Sequence, residues 1–442
     1  MKRLAIALAL AVTAVLLSPA ASSAKSEWEL DQSSLPFDAV DGFEDSQRLW
    51  GEHNGAGYRV EVPANWNGDL IMWTHGYRGE GNVLFFNQNE FNPGLRAWML
   101  SEGYAWAAST YSKNSYNVAQ GVKDTHALAR YFNGLVAKPD RIYVAGYSMG
   151  GHIAAVSAEY YGRTYSGAMP LCGVVGDYEL FDYFLDINVA GQQLGLGTSQ
   201  TPVDAAQFLG VQLPQIKQAF GMQTPFAFSL TESGEQFKQL IELRSGGDRP
   251  NFDAAFGFWF SIPGATGLGN FPWEFAIGDG TIAGGPGVIV DNTDTVYQVD
   301  LDPAISEFEA QLNADIARIA HDPQGRTENG LSNPPSVTGD LKMPVLTIHN
   351  LGDLFVPFNM EIEYAGNVAA QGKSDMLVQR AVRGVNHCGF SDAELIEGLS
   401  ALINWVETGA RPEGDVVRDP AVVAGPDYGC RFSRNDPDFH TL

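Results

Sequence analysis

The chain has 442 residues, with 52 acidic against 27 basic side chains and a formal net charge of −25. That balance argues against nucleic acid and other polyanions as partners. The length suits two or three average domains, or one large α/β domain carrying an insertion.

The N-terminus is Met1-Lys2-Arg3, an apolar run over 4–17, and then Ser18-Pro19-Ala20-Ala21-Ser22-Ser23-Ala24. This is the pattern of a signal peptide over 1–24, cleaved after Ala24. The run falls short of the roughly 20 apolar residues of a membrane span. The expected protein is therefore secreted or periplasmic, with no membrane span in the mature chain. No cysteine follows the run, which argues against a lipid anchor. The sequence leaves the oligomeric state open.

An acidic arm over 26–46 precedes a strand pattern at 58–62 and turn residues at 63–68. The run 69–74 is a buried strand that ends in His75-Gly76-Tyr77-Arg78-Gly79. A short helix is expected over 93–101, a strand over 105–110 and a longer helix over 118–136. A β-branched run at 141–145 then enters Gly146-Tyr147-Ser148-Met149-Gly150 and resumes with helical spacing. Another strand follows at 167–174. Strand and helix alternate as in a parallel sheet with right-handed crossovers. The alternation returns with strands at 343–349 and 376–382, a helix over 360–372, and a last helix opened by the capping box Ser391-Asp392-Ala393-Glu394. The expected organisation is a core over 25–175 and 337–410, a mainly helical cap over 176–336, and a C-terminal tail over 411–442. The cap holds 21 acidic and 6 basic residues and an aromatic cluster at 252–275.

A Gly-x-Ser-x-Gly between a strand and a helix is a candidate nucleophile elbow, with Ser148 at the helix N-terminus. A serine hydroxyl needs a base. His387, in a loop between the last strand and the last helix, is the candidate. The base needs a carboxylate to orient it. Asp353, after the penultimate strand, is the first choice, and Asp177 is the alternative. An oxyanion would be held by the backbone N–H groups of Tyr77 and Met149. Tyr147, Trp259 and Trp273 are the expected substrate-binding rings. His126, His152 and His349 are expected to be structural. Three cysteines, Cys172, Cys388 and Cys430, are spaced too widely for a zinc site; one bridge and one free thiol is the simplest outcome. The set asks for no metal and no cofactor.

The elbow, His75-Gly76-Tyr77, Gly352-Asp353-Leu354-Phe355-Val356-Pro357 and the late His387 together resemble the α/β-hydrolase superfamily. The resemblance covers 58–174 and 340–409. It implies a mostly parallel central sheet with helices on both faces and an acyl-enzyme mechanism. The pair His387-Cys388 is also similar to secreted tannase and feruloyl-esterase-like hydrolases, in which a cysteine beside the serine bonds the cysteine beside the histidine. Tyr147 stands before Ser148 here. The expected bridge is therefore Cys388–Cys430, tying the histidine loop to the tail, with Cys172 a buried free thiol. The leading expectation is a serine hydrolase of carboxylic esters, small or polymeric, with an apolar or aromatic acyl pocket. The same triad could serve an amidase or peptidase, a β-diketone hydrolase or a polyester depolymerase. A non-catalytic binding module is the remaining alternative.

Overall fold

The computed structural model describes residues 28–176, 178–264, 271–282, 284–327, 330–332 and 334–434. The leader expected over 1–24 and the alternative acid Asp177 lie outside them. Among the described residues no helix is long and apolar enough to cross a membrane.

Eight strands form one sheet. β1 (Gln47–His53) and β2 (Ala56–Val62) make a hairpin. The strand expected at 58–62 is thus the second of a pair, preceded by β1. Asn54 and Gly55 both take positive φ, 55° and 81°, as a two-residue hairpin turn requires. β3 (Leu70–Thr74), β4 (Ala105–Ser109), β5 (Ile142–Tyr147), β6 (Gly167–Leu171), β7 (Val345–Asn350) and β8 (Leu377–Val382) follow. The spatial order is β1-β2-β4-β3-β5-β6-β7-β8. β2 runs antiparallel to both neighbours, and the remaining pairs are parallel.

Three helices intervene early: α1 (Pro93–Ser101), α2 (Val118–Leu135) and α3 (Met149–Tyr160). The segment between β6 and β7 carries α4 (Glu179–Leu196), α5 (Leu213–Phe220), α6 (Glu232–Arg244), α7 (Phe252–Trp259) and α8 (Glu307–Asp315). α9 (Asn359–Ala370) and α10 (Asp392–Thr408) complete the core. Strand side chains alternate between two cores, as the two-residue strand period dictates. Ile71, Trp73, Tyr143 and Ala145 pack with Leu95, Met99, Leu395 and Leu402 of α1 and α10. Leu70, Met72 and Val144 pack with Val122, Phe132, Ile153 and Tyr364 of α2, α3 and α9. Burial of each large apolar side chain contributes about 1.5–3 kcal/mol. Covering on both faces explains why these strands read as unbroken apolar runs. The sheet order, the crossovers and the strand-to-helix turn at Ser148 make this an α/β-hydrolase fold.

The register positions the loops. Tyr147 pairs with Leu171, Leu171 with Ile348, and Asn350 with Val382. The loops after β5 and β6, and two residues further on those after β7 and β8, therefore all leave the sheet on its carboxyl edge, where open α/β sheets bind ligands.

Residues 411–434 of the tail pack on the core without a bridge to Cys430. Val417, Val423 and Tyr428 pack on Leu351, Phe358 and Ala381. The Asp415 carboxylate accepts from the Ala381 N–H at 2.8 Å, and the Asp415 N–H donates to the Gln379 carbonyl at 2.7 Å. The tail thereby caps edge strand β8, which would otherwise expose unpaired backbone groups.

Candidate active site

Ser148 sits between β5 and α3 with φ 59° and ψ −120°. For a residue with a Cβ this is a strained backbone, held because its surroundings over-determine it. Its N–H donates to the Leu171 carbonyl at 3.0 Å. A Cβ at Gly146 or Gly150 would run into the Thr74 carbonyl, so the turn closes only with glycine at both positions. Across the turn lies the loop after β3. A Cβ on Gly76 would be 3.3 Å from the Ser148 Cβ and 3.9 Å from its Oγ, so the Gly76-Tyr77 backbone passes directly beside the hydroxyl. His75 braces that loop: its Nδ1–H donates to the Gly76 carbonyl at 2.6 Å and its ring stacks on Tyr111. Burial pushes His75 well below the usual histidine range. Met149 opens α3 and is buried.

Asp353 follows β7 and is fully buried. Its Oδ1 accepts from the N–H groups of Phe355 and Val356 at 2.9 and 3.0 Å, and its Oδ2 lies 2.6 Å from Nδ1 of His387. The His387 ring stands edge-on to Phe355, with 4.9 Å between centroids. Its Nε2 has no hydrogen-bond partner among the described residues, Ser148 Oγ included. The candidate acid and base are thus paired, while Nε2 makes no bond to the serine.

Ser148 and His387 line one cavity of about 270 Å³. Phe184, Phe275 and Phe355 form a chain of ring contacts from α4 to the histidine, the first pair stacked at 4.7 Å and the second tilted at 4.8 Å. Leu180, Phe181, Ile282 and Ile289 extend the apolar wall. Tyr77 and Tyr147 line it too, and the Tyr77 hydroxyl donates to Glu80 at 2.6 Å. Among the described residues, Glu80 is the one carboxylate of the lining, which includes no lysine or arginine. A larger groove of about 690 Å³ lies under the N-terminal arm. Its Arg59 is committed to the carbonyls of Ser34, Leu35, Pro36 and Asn87, and its Arg96 to Glu61 and the Asp38 carbonyl.

Three expectations are corrected. The disulfide is Cys172–Cys388, with Cα atoms 5.3 Å apart, and Cys430 is an exposed free thiol rather than the partner of Cys388. β6 ends at Leu171, so Cys172 is the first residue beyond the sheet, level with Ser148, where the histidine loop returns. The sequence pattern runs the strand on to 174 and hides this. A cysteine beside the serine does bond the cysteine beside the histidine, but it is beside it in space and comes from the next strand. Among the described residues, Cys172, His387 and Cys388 are also the group spaced closely enough to hold a metal ion; the two sulfurs are joined to each other. Trp273 is fully buried and stacks on Phe237 inside the inserted segment, away from the cavity lining. Trp259 is also absent from the lining. Its indole N–H points at two backbone carbonyls, Gly352 at 3.0 Å and Val385 at 2.7 Å.

Two other histidines are held in the interior. His152 bonds the Tyr116 hydroxyl and the Pro335 carbonyl, each at 2.9 Å. His349 faces Glu361 through Nδ1 at 3.2 Å and the Val356 carbonyl through Nε2 at 2.8 Å.

No family model matches the chain. The o-phthalyl amidase of Xanthobacter agilis is 22% identical over 406 residues, which cover 81% of this chain and 87% of that protein. In structure the chain is similar to an esterase from Aspergillus oryzae, with TM-score 0.46 and 14% identity, covering 83% of this chain and 80% of that one. It is likewise similar to feruloyl esterase B from Aspergillus oryzae, with TM-score 0.45 and 15% identity over the same shares.

Proposed function

We propose that the protein is a serine hydrolase that cleaves carboxylic esters bearing an apolar or aromatic acyl group. The observation that carries this reading is the Asp353–His387 pair at 2.6 Å, set on the same cavity as a serine held at positive φ. In this reading Ser148 Oγ attacks the acyl carbon as His387 Nε2 takes its proton. Asp353 holds the imidazole in the tautomer that leaves Nε2 free to accept and stabilises the imidazolium. The tetrahedral oxyanion is received by the N–H groups of Tyr77 and Met149; losing one such donor typically costs about 3 kcal/mol. Collapse expels the alcohol, which leaves with the proton from His387. Water, deprotonated by the same histidine, then frees the acid and restores the serine.

The aromatic wall favours an aromatic acyl group, since stacked or edge-on rings gain about 0.5–1.5 kcal/mol beyond simple burial. The amidase relative supports a second reading, cleavage of aromatic carboxylic amides by the same groups. We place the protein outside the cytoplasm, secreted or periplasmic, where a disulfide persists. The reading is tested with a fluorophosphonate probe and matched p-nitrophenyl ester and anilide substrates. Wild type labels, Ser148→Ala does not, and the ester turns over faster. Equal labelling of the alanine variant would sink the serine mechanism, and faster anilide turnover would replace the first reading with the second.

A further inference from the structure

The inserted segment does more than roof the cavity. Three of its side chains donate to carbonyls on the loops that carry the acid and the base. The Tyr183 hydroxyl of α4 reaches the Leu354 carbonyl at 3.2 Å. Arg249, between α6 and α7, places Nε 2.8 Å from the Leu351 carbonyl. Trp259, the last residue of α7, shares its indole N–H between Gly352, next to Asp353, and Val385, two residues before His387. All three donors are buried. Their acceptors are buried backbone groups, which fold stably only when satisfied.

The two loops also meet each other. The Gly352 N–H donates to the Gly384 carbonyl at 2.8 Å. A Cβ on Gly352 would stand 2.6 Å from that carbonyl oxygen and 3.1 Å from the Ala255 Cβ of α7. Gly352 is therefore sandwiched between the histidine loop and α7, and the Trp259 N–H closes this three-way contact.

We infer that Trp259 is a positioning residue for the acid–base pair, its single indole N–H fixing the separation of the Asp353 and His387 loops, with Tyr183 and Arg249 bracing the acid loop alone. This rests on the serine-hydrolase reading of the site. It assigns Trp259 to the catalytic geometry and not to the substrate. A base displaced by about 1 Å costs on the order of 100-fold in rate, whereas a ring outside the cavity leaves substrate affinity untouched.

The test replaces Trp259 by 3-benzothienylalanine, which keeps the ring shape and substitutes sulfur for the N–H. Turnover is measured per fluorophosphonate-titrated site. The expected result is a kcat lowered by about 10- to 100-fold with KM within about twofold. Tyr183→Phe, which loses a single hydroxyl, is the second variant; a smaller fall in kcat at unchanged KM is expected. Wild-type kcat in both variants overturns the inference, as does a raised KM at unchanged kcat, which would return Trp259 to substrate contact. Wild-type enzyme that neither labels nor turns over fails the underlying serine mechanism instead, and the positioning role falls with it.

Discussion

Asp353 uses both carboxylate oxygens, one on two backbone N–H groups and the other on His387. An asparagine in its place could keep the shape but not the charge, and an amide nitrogen facing Nδ1 would select the wrong imidazole tautomer. Asp353→Asn is expected to lower kcat by about 10⁴-fold with little change in KM. Steady-state kinetics on the purified variant check this, and a fall below tenfold would point to another acid. Glu80 carries a separate expectation. It is the one carboxylate among the described residues of the cavity lining, with no cation there to offset it. Two like charges some 4 Å apart in a partly buried site repel by a few kcal/mol. Benzoyl esters should therefore outrun ortho-carboxybenzoyl esters, and Glu80→Gln should raise kcat/KM for the anionic substrate by about tenfold while leaving the neutral one nearly unchanged. A wild-type preference for the anionic ester would remove this role from Glu80. Candidates Ser148, Asp353 and His387 could be named from the sequence because each follows a strand whose apolar run is easy to see. Trp259 could not. Its partners are carbonyls at sequence separations of 93 and 126, and backbone acceptors leave no trace in side-chain identity.

At the scale of elements, the sheet register brings four loops to one edge, and the disulfide then fixes two of them. Cys172 directly follows β6 and Cys388 adjoins His387, a closure spanning 216 residues. Both cysteines hold positive φ, 43° and 55°, as does Ser148. Reduction frees the histidine loop from the chain that follows β6 beside Ser148. Cys172→Ala with Cys388→Ala should lower kcat more than tenfold, and should lower stability by about 2–5 kcal/mol, since a closed loop of this length constrains the unfolded chain strongly. Cys430→Ala should change neither. Parallel activity and denaturation measurements separate the two effects, and full activity in the reduced, folded enzyme would show that the bridge is only a staple. The pairing is hidden in the sequence because the strand pattern runs on to 174 whereas β6 stops at Leu171. Which cysteine sits beside Ser148 depends on where β6 stops, and strand ends are set by register with neighbours rather than by local pattern. The hairpin of β1 and β2 is hidden for the opposite reason: its Asn54-Gly55 turn is present, but the flanking alternation is weak.

Over the whole molecule, buried histidines tie distant parts together and make stability depend on pH in a direction that can be worked out. His152, on α3 behind Ser148, joins that helix to Pro335 at the end of the inserted segment. Burial lowers it from 6.5 to about 4. The unfolded chain therefore binds a proton that the folded chain refuses. Stability from this group is complete above about pH 6.5 and declines as pH falls towards 4, by about 2.5 kcal/mol at pH 4.5. His75 acts with the same sign, because burial also lowers it. His349 differs. Burial opposes its charge, but Glu361, Asp353 and the Val356 carbonyl raise it above the usual value. Its contribution is present below pH 6.5 and is lost only as pH rises through its folded value, so it is constant across the acid window. Net repulsion from a charge of −25 falls on acidification equally in wild type and variant. His152→Gln, whose amide can still donate to Pro335, should therefore lose less stability than wild type between pH 7 and 4.5, by about 2.5 kcal/mol. Urea denaturation at the two pH values measures the difference directly, and parallel losses in the two proteins would mean that residue 152 is not the group whose protonation unfolds the chain.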